Sequence, residues 1–337
     1  MNMKKNDRYH GMRGLAAVAL CALCLTSCDP NGVFEGELYK KVIYVLSGDD
    51  LIFSVTHDLR EPESTGYISV LSGGTCHIDE DVTVELEYDE EALNSYNRVA
   101  HDIDTASFAR RLSEEFYTIS SFSTVLKAGS EDNYATIPVK VRPEGLSPDS
   151  VYLIPLRIKS VSNYEVNKDR STVLYRVQIK NAYADQANTT YYQTRGNDIY
   201  YKSNGTDIDK TSTFSLSRIA VPVSANSIRC FVGMNTYEPS ALQVAEIERC
   251  GMNISVSDDG KLSIVPVGTA QIEMIDDADS NNFVEVDGVQ VRTQTFNLHY
   301  RYRILKSGAD GTGGDADYDI WHEMVETMSR KVALMNI

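Results

Sequence analysis

The sequence predicts a mainly β protein built from two domains: an antiparallel β-sandwich followed by a second β-rich sandwich or barrel-like domain. Three observations carry this. Short β-branched runs recur, about eight in the first 140 or so residues of the body, and end at Gly, Asp or Pro turns. Several runs alternate apolar and polar residues with period 2, the mark of a half-buried strand. No βαβ alternation occurs, which argues against a doubly wound or α/β-barrel enzyme. The aromatic content agrees: Tyr is 20 against 9 Phe and 1 Trp, and Tyr favours strands and wet aromatic surfaces.

In the first domain, placed at 41–181, Lys41–Ser47 is an apolar run stopped by Gly48-Asp49-Asp50. Leu51–Val55 and Tyr67–Leu71 follow, separated by the turn-rich Glu61–Gly66. Val82–Tyr88 alternates cleanly. Glu90–Leu112 reads as one or two short helices linking strands. Strands resume at Ser123–Leu126, Ala135–Val141, Val151–Ile158 and Val173–Ile179. Pro138 and Pro155 fall inside strands, so each is expected at an edge or a bulge. Such strand spacing suits an immunoglobulin-like antiparallel sandwich.

Asn181–Asn188 is a polar joint, and the second domain is placed at 182–337. Strand-like runs cover Thr190–Gln193, Ile199–Lys202, Thr213–Val223, Ser227–Gly233, Asn253–Ser257, Lys261–Pro266, Gln271–Ile275 and Thr295–Leu305. The last alternates over eleven residues and is the clearest strand of the chain. Asp258-Asp259-Gly260 is a hairpin signal. Glu238–Arg249 and Ile320–Lys331 are expected to be helical.

The N-terminus carries Lys4, Lys5, Arg8 and Arg13, then the apolar run Leu15–Leu25. Those 11 residues are too few to span a bilayer, which needs about 20. A basic segment, a short apolar segment and small residues before a cleavage point define a secretory signal. Leu25-Thr26-Ser27-Cys28 resembles the lipobox of bacterial lipoproteins. The resemblance implies a signal peptide at 1–27, acylation of Cys28 as the lipid anchor, and a tether at 28–40. Asp29, Glu35 and Glu37 loosely resemble the acidic surface-export signal of such lipoproteins. The lipid would be the only attachment to the membrane, since mean hydropathy is −0.28. The expected location is the outer membrane, facing the cell surface.

The charge is −16, from 32 Lys and Arg against 48 Asp and Glu. Residues 1–27 hold four basic groups and one acid, so a mature chain of 310 residues would carry −19. Such acidity is unsuited to nucleic acid, whose phosphates need clustered cations. Three cysteines remain after Cys28: Cys76, Cys230 and Cys250. Cys230 and Cys250 either pair or stay buried thiols acting as small hydrophobes. No Cys/His spacing suits structural zinc.

Two groups of segments resemble a known family. The first comprises Glu115–Thr118, Val125–Gly129, Ala135–Val139 and Tyr152–Val161; the second Gly251–Val265, Asn282–Glu285 and Phe296–Tyr302. Together they resemble two-domain surface lipoproteins of unknown function, encoded beside starch-utilisation-type glycan importers. In these an immunoglobulin-like N-terminal domain precedes a β-rich C-terminal domain. The resemblance implies a surface-exposed lipoprotein, makes glycan binding the leading expectation, and supplies no catalytic residues. A polysaccharide or oligosaccharide and outer-membrane importer proteins are the expected partners.

Enzyme motifs are scarce: the chain has no GxSxG, HExxH, GxxxxGK[ST] or GxGxxG. His57, His77, His101, His299 and His322 are scattered, as surface or satisfied core histidines are. A glycoside hydrolase needs two carboxylates across a cleft, and the sequence points to no pair. The leading expectation is therefore a non-catalytic glycan binder. The alternatives are a structural or adhesive surface protein and an unrecognised hydrolase. Glycan binding uses flat aromatic faces, so Trp321, Tyr191, Tyr192, Tyr200, Tyr201 and Tyr237 are the candidates. Within a strand, a Tyr pair places one ring in the core and one outside. Asp277, Asp279 and Asn281 resemble the start of a calcium loop, but Asn282 stands where that loop needs Gly and Gly288 where it needs Glu. No other cofactor is expected.

Overall fold

The computed structural model describes residues 39–237, 243–276 and 279–334. The signal segment, Cys28 and most of the tether lie outside the described residues, as does Asp277.

The N-terminal half contains β1 (Val42–Val45), β2 (Ile52–Asp58), β3 (Ser64–Ser72), β4 (Val82–Tyr88), β5 (Arg110–Arg111), β6 (Tyr117–Thr118), β7 (Ser123–Leu126), β8 (Tyr134–Val141), β9 (Tyr152–Val161), β10 (Glu165–Val166) and β11 (Thr172–Lys180). They form two sheets, ordered β10-β1-β3-β8-β6 and β2-β11-β9-β4-β7, with β5 added beside β9. The alternation read in the sequence sets the inner faces. Val82, Val84 and Leu86 of β4, and Ile137, Val139 and Val141 of β8, point into one shared core. Each such side chain contributes roughly 1.5–3 kcal/mol by leaving water.

A single helix, Glu90–His101, interrupts the strands, and short 3₁₀ turns follow it. Asp89 caps it by accepting from the Ala92 backbone N–H at 3.1 Å. Its buried residues are Leu93 and Asn97, and Asn97 ties it to both backbone groups of Ala109.

The sandwich is not purely antiparallel, which corrects the sequence expectation. β2 runs parallel to β11 over seven residue pairs, and β1–β10 and β5–β9 are also parallel. The first and last long strands of the domain meet side by side, and their shared direction follows from where the chain has travelled in between. Pro138 faces the side of β8 that β6 covers only at residues 140–141. Pro155 lies in an interior strand, where β5 pairs residues 152–153 and β4 pairs from Leu156 onward. Its missing N–H falls in the gap between these two neighbours.

The C-terminal half contains β12 (Thr190–Tyr201), β13 (Ile208–Ser224), β14 (Ser227–Phe231), β15 (Gly251–Val256), β16 (Leu262–Pro266), β17 (Gln271–Met274), β18 (Asn282–Asp287), β19 (Val291–Arg303) and β20 (His322–Ala333). All nine join one sheet, ordered β16-β15-β14-β13-β12-β20-β19-β17, with β18 beside β19. The sheet curls until its ends meet, as a nearly closed barrel. The Ile264 N–H of β16 lies 3.3 Å from the Met274 sulfur of β17, and Leu262 N–H donates to Asn281 O at 2.8 Å.

Two helix expectations change. A helix spans Val244–Cys250, shorter than expected, and residues 238–242 lie outside the described residues. Ile320–Lys331 is not a helix. His322–Ala333 is strand β20, paired along both edges with β12 and β19. Met324 and Met328 are four apart, as on a helix face. In the strand Glu326 completes the buried row between them. A charged residue at a core position hid the period-2 pattern.

Cys230 and Cys250 are free, buried thiols. Burial pushes them up to about 12 and about 11, so both stay protonated at neutral pH. Among the described residues, no helix is long and apolar enough to cross a membrane.

Candidate functional site

Strands β12, β20 and β19 lie side by side, and their register places Tyr200 opposite His322 and His322 opposite Tyr302. Directly paired residues share a face, so three rings stand in one row at an end of the curled sheet. Tyr200 and His322 lie 4.5 Å apart between ring centroids; His322 and Tyr302 lie 5.2 Å apart and stack at 29°. The Lys210 ammonium sits 4.3 Å from the Tyr200 ring centroid.

Asp198 precedes Tyr200 by two residues and so shares its face. It is 1% exposed, and its Oδ1 lies 2.9 Å from His322 Nδ1. Its Oδ2 has no hydrogen-bond partner among the described residues. A buried carboxylate oxygen left unpaired is costly, and Asp198 is one of the residues around a cavity of about 240 Å³. Met234, Asn235, Ile304 and Asp319 complete that cavity. Burial raises the Tyr200 hydroxyl above the ordinary tyrosine range, and the Asp198 charge adds to this.

A second polar layer lies deeper in the barrel. Arg218 of β13 meets Glu326 of β20 through two contacts, at 2.5 and 2.9 Å, with both side chains buried. Tyr300 donates to Glu326 at 3.0 Å and accepts from the Gly233 N–H at 3.1 Å, while Arg218 also donates to the Gly233 carbonyl. Gly233 has φ +58°, and a Cβ there would meet the Tyr302 hydroxyl at 1.9 Å, so only glycine fits this link between layers.

The sequence-chosen aromatics divide among several places. Tyr200 and Tyr201 stand at one strand end but on opposite faces. The Tyr201 hydroxyl donates to Glu323, which also lies 3.0 Å from His299 Nε2. Burial pushes Glu323 up, but these two hydrogen bonds outweigh it and hold the carboxyl below its usual range. Trp321 lies on the same outer side as Tyr201, and the guanidinium groups of Arg301 and Arg303 rest 4.6 and 4.7 Å from its ring. Tyr191 is 52% exposed, whereas Tyr192 is fully buried, donates to Tyr183 O at 2.8 Å and packs edge-on against Phe296. Tyr192 is therefore a core residue and no ligand platform, as the one-in, one-out pattern of a strand requires. Tyr237 stands apart from the end cavity and packs edge-on against Phe231 beside the first domain.

The calcium reading loses a ligand. Asn281 spends its side chain on the backbone, donating to Ile275 O at 2.8 Å and accepting from His299 N–H at 3.0 Å. Asp279 lies in an exposed turn. Among the described residues, no cluster of three His, Cys, Asp or Glu side chains suits a metal.

Sequence reasoning missed Asp198, Tyr302, His322, Asn235 and Asp319. Tyr302 was visible as an alternate position of the clearest strand. The Asp198–His322 contact spans 124 residues and carries no local signal.

The fold and site define a two-domain β protein in which a sandwich precedes a nearly closed curled sheet with an aromatic, carboxylate-lined end. A family model for an N-terminal domain matches residues 39–165, and one for a C-terminal domain matches residues 171–329. The chain belongs to this two-domain family. No curated protein matches it. Among solved structures, a protein of unknown function from Bacteroides ovatus is similar at TM-score 0.65 and 16% identity, over 87% of this chain and 95% of that one. An auxiliary nutrient binding protein from Bacteroides thetaiotaomicron is similar at TM-score 0.59 and 14% identity, over 86% and 95%. A multidomain protein from Bacteroides ovatus is similar at TM-score 0.59 and 16% identity, over 86% and 96%. At these identities the likeness is one of fold.

Proposed function

We propose that this protein is a non-catalytic glycan-binding lipoprotein of the outer cell surface, held by acylated Cys28 and accessory to an outer-membrane polysaccharide uptake system. The observation that carries the reading is the Tyr200–His322–Tyr302 row beside the unpaired Asp198 Oδ2. Tyr302 is 4% exposed and stacked on His322, so Tyr200 supplies the ring that suits the apolar side of a sugar. Asp198, Asn235 and Asp319 around the cavity supply polar groups suited to hydroxyls. The cavity is small, which fits a single ring or chain end. Trp321, on the outer side with two guanidinium groups against its ring, is not among the residues around this cavity. The fold-level likeness to an auxiliary nutrient binding protein agrees with an accessory role.

Affinity gels and calorimetry against a panel of neutral polysaccharides and oligosaccharides test this. Binding to at least one is expected, weakened about tenfold or more by Tyr200→Ala. Wild-type protein that binds no glycan, or binding indifferent to Tyr200→Ala, Asn235→Ala and Trp321→Ala, overturns it. Sugar release by the purified protein would replace it with hydrolysis. Cys28→Ala is expected to free the protein from membranes.

A further inference from the structure

A larger depression, of about 700 Å³, lies between the two halves of the chain. The first domain contributes Phe108, Arg110 and Arg176 to it; the second contributes Ile219, Val221 and Tyr237. Its walls are fixed to each other. Arg229 of β14 forms a largely buried ion pair with Asp149 of the first domain. Asn181, buried at the joint, donates to Ser224 O at 2.7 Å and Ser227 O at 2.8 Å, and Gln186 donates to Pro148 O at 2.9 Å.

The charges in this cleft do not balance. Asp149 is neutralised by Arg229. Asp185 accepts from Ala187 N–H at 2.8 Å and from the Asn188 side chain at 3.1 Å. Arg110 and Arg176 have no carboxylate within ion-pair distance among the described residues. The cleft shares Asp185, Thr189 and Thr190 with a shallower depression on the outer face of β12 and β20. That depression is lined by half-exposed Tyr191 and by Arg195 and Lys331, which likewise have no carboxylate within that distance. Arg110, Arg176, Arg195 and Lys331, with the rings of Phe108, Tyr237 and Tyr191, thus follow one continuous path around the waist of a chain whose charge is −16.

We infer that this waist path is a second binding site, distinct from the end cavity, and that it takes an acidic saccharide bearing carboxylate or sulfate groups. Guanidinium groups bind both anions in a bidentate fork, while Tyr191 and Tyr237 offer ring faces to the sugars between. The overall negative charge repels polyanions at long range, so any that bind do so through a local site. The choice of a saccharide as carrier of the anion rests on the glycan-binding reading above.

Calorimetry of the full chain against polygalacturonate, dextran sulfate, uncharged dextran and inorganic sulfate tests it. Binding of polygalacturonate or dextran sulfate is expected, with affinity falling as salt rises. The double change Arg110→Gln/Arg176→Gln is expected to weaken it about tenfold or more, and Arg195→Gln/Lys331→Gln less. Circular dichroism of each variant, matching the wild type, excludes misfolding. Acidic-polymer binding that survives both double changes, or is lost only in Tyr200→Ala, overturns the inference. So does a wild type that ignores both acidic polymers, or inorganic sulfate competing as well as sulfated dextran per sulfate. Neutral-glycan binding that is lost in Tyr200→Ala, together with a wild type that binds neither acidic polymer, would sink the waist site and leave the end cavity standing.

Discussion

The two halves of the molecule are both β structures, yet their centres differ. The sandwich core is aliphatic, built from Ile68, Val70, Val84, Ile137, Val139 and Leu156. Its main polar intrusion is His57, buried against the Tyr175 hydroxyl at 3.1 Å. The curled sheet holds Arg218, Glu326 and Tyr300 at its centre and Asp198 with His322 at its end. A barrel centred on a buried charge pair gives up stability to desolvation. The end cavity is lined by the second domain alone, whereas the first domain contributes one wall of the waist cleft.

The largest expected effect tests the charged centre. Glu326→Ala strands the Arg218 guanidinium and should cost the second domain about 3–5 kcal/mol. Trp321 is the only Trp and lies in that domain, so its fluorescence in urea follows the loss directly. Arg218→Met together with Glu326→Leu should recover most of it, because the pair offsets its own desolvation and contributes little net. A loss below about 1 kcal/mol for Glu326→Ala would erase the contrast.

The sandwich has a smaller, pH-dependent weakness. Burial pushes His57 down to about 4, against 6.5 when unfolded. Between those values the unfolded chain holds a proton that the folded one does not, so stability falls as pH drops through this window. The full loss is roughly 3 kcal/mol, reached below pH 4. Hydrogen exchange in β2 and β11 should show it, and His57→Gln should flatten the acid limb. An unchanged limb in that variant would remove His57 as the cause.

The smallest effect separates burial from charge. Lys127 and Asp81 form an exposed pair at 2.6 Å. Lys127→Ala should leave the midpoint of chemical denaturation almost unchanged, because water screens an exposed pair. A cost near that of Glu326→Ala would show that pairing, and not burial, sets the scale.

Much of the fold was legible because apolar alternation is local. β4, β8 and β19 announce themselves residue by residue. β20 did not, because Glu326 occupies a core position that Arg218, 108 residues away, and Tyr300 make tolerable. The parallel β2–β11 pairing was hidden for a similar reason: strand direction depends on the path of the whole domain. At the site, Tyr200 stood out as an aromatic, whereas Asp198 and His322 look ordinary until β12 and β20 meet.

By itself the sequence determined that the chain is two β domains, and it marked the Leu25–Cys28 motif, the overall acidity and the residues alternating inward along most strands. Those properties depend on composition and on neighbours within a few residues. Only the tertiary structure decided which Tyr of each pair stays available, which carboxylate is left with an unpaired oxygen, and which arginines find no acid. Each of these depends on contacts between residues far apart in the chain, where burial sets the energy of a charge and strand register sets its partner.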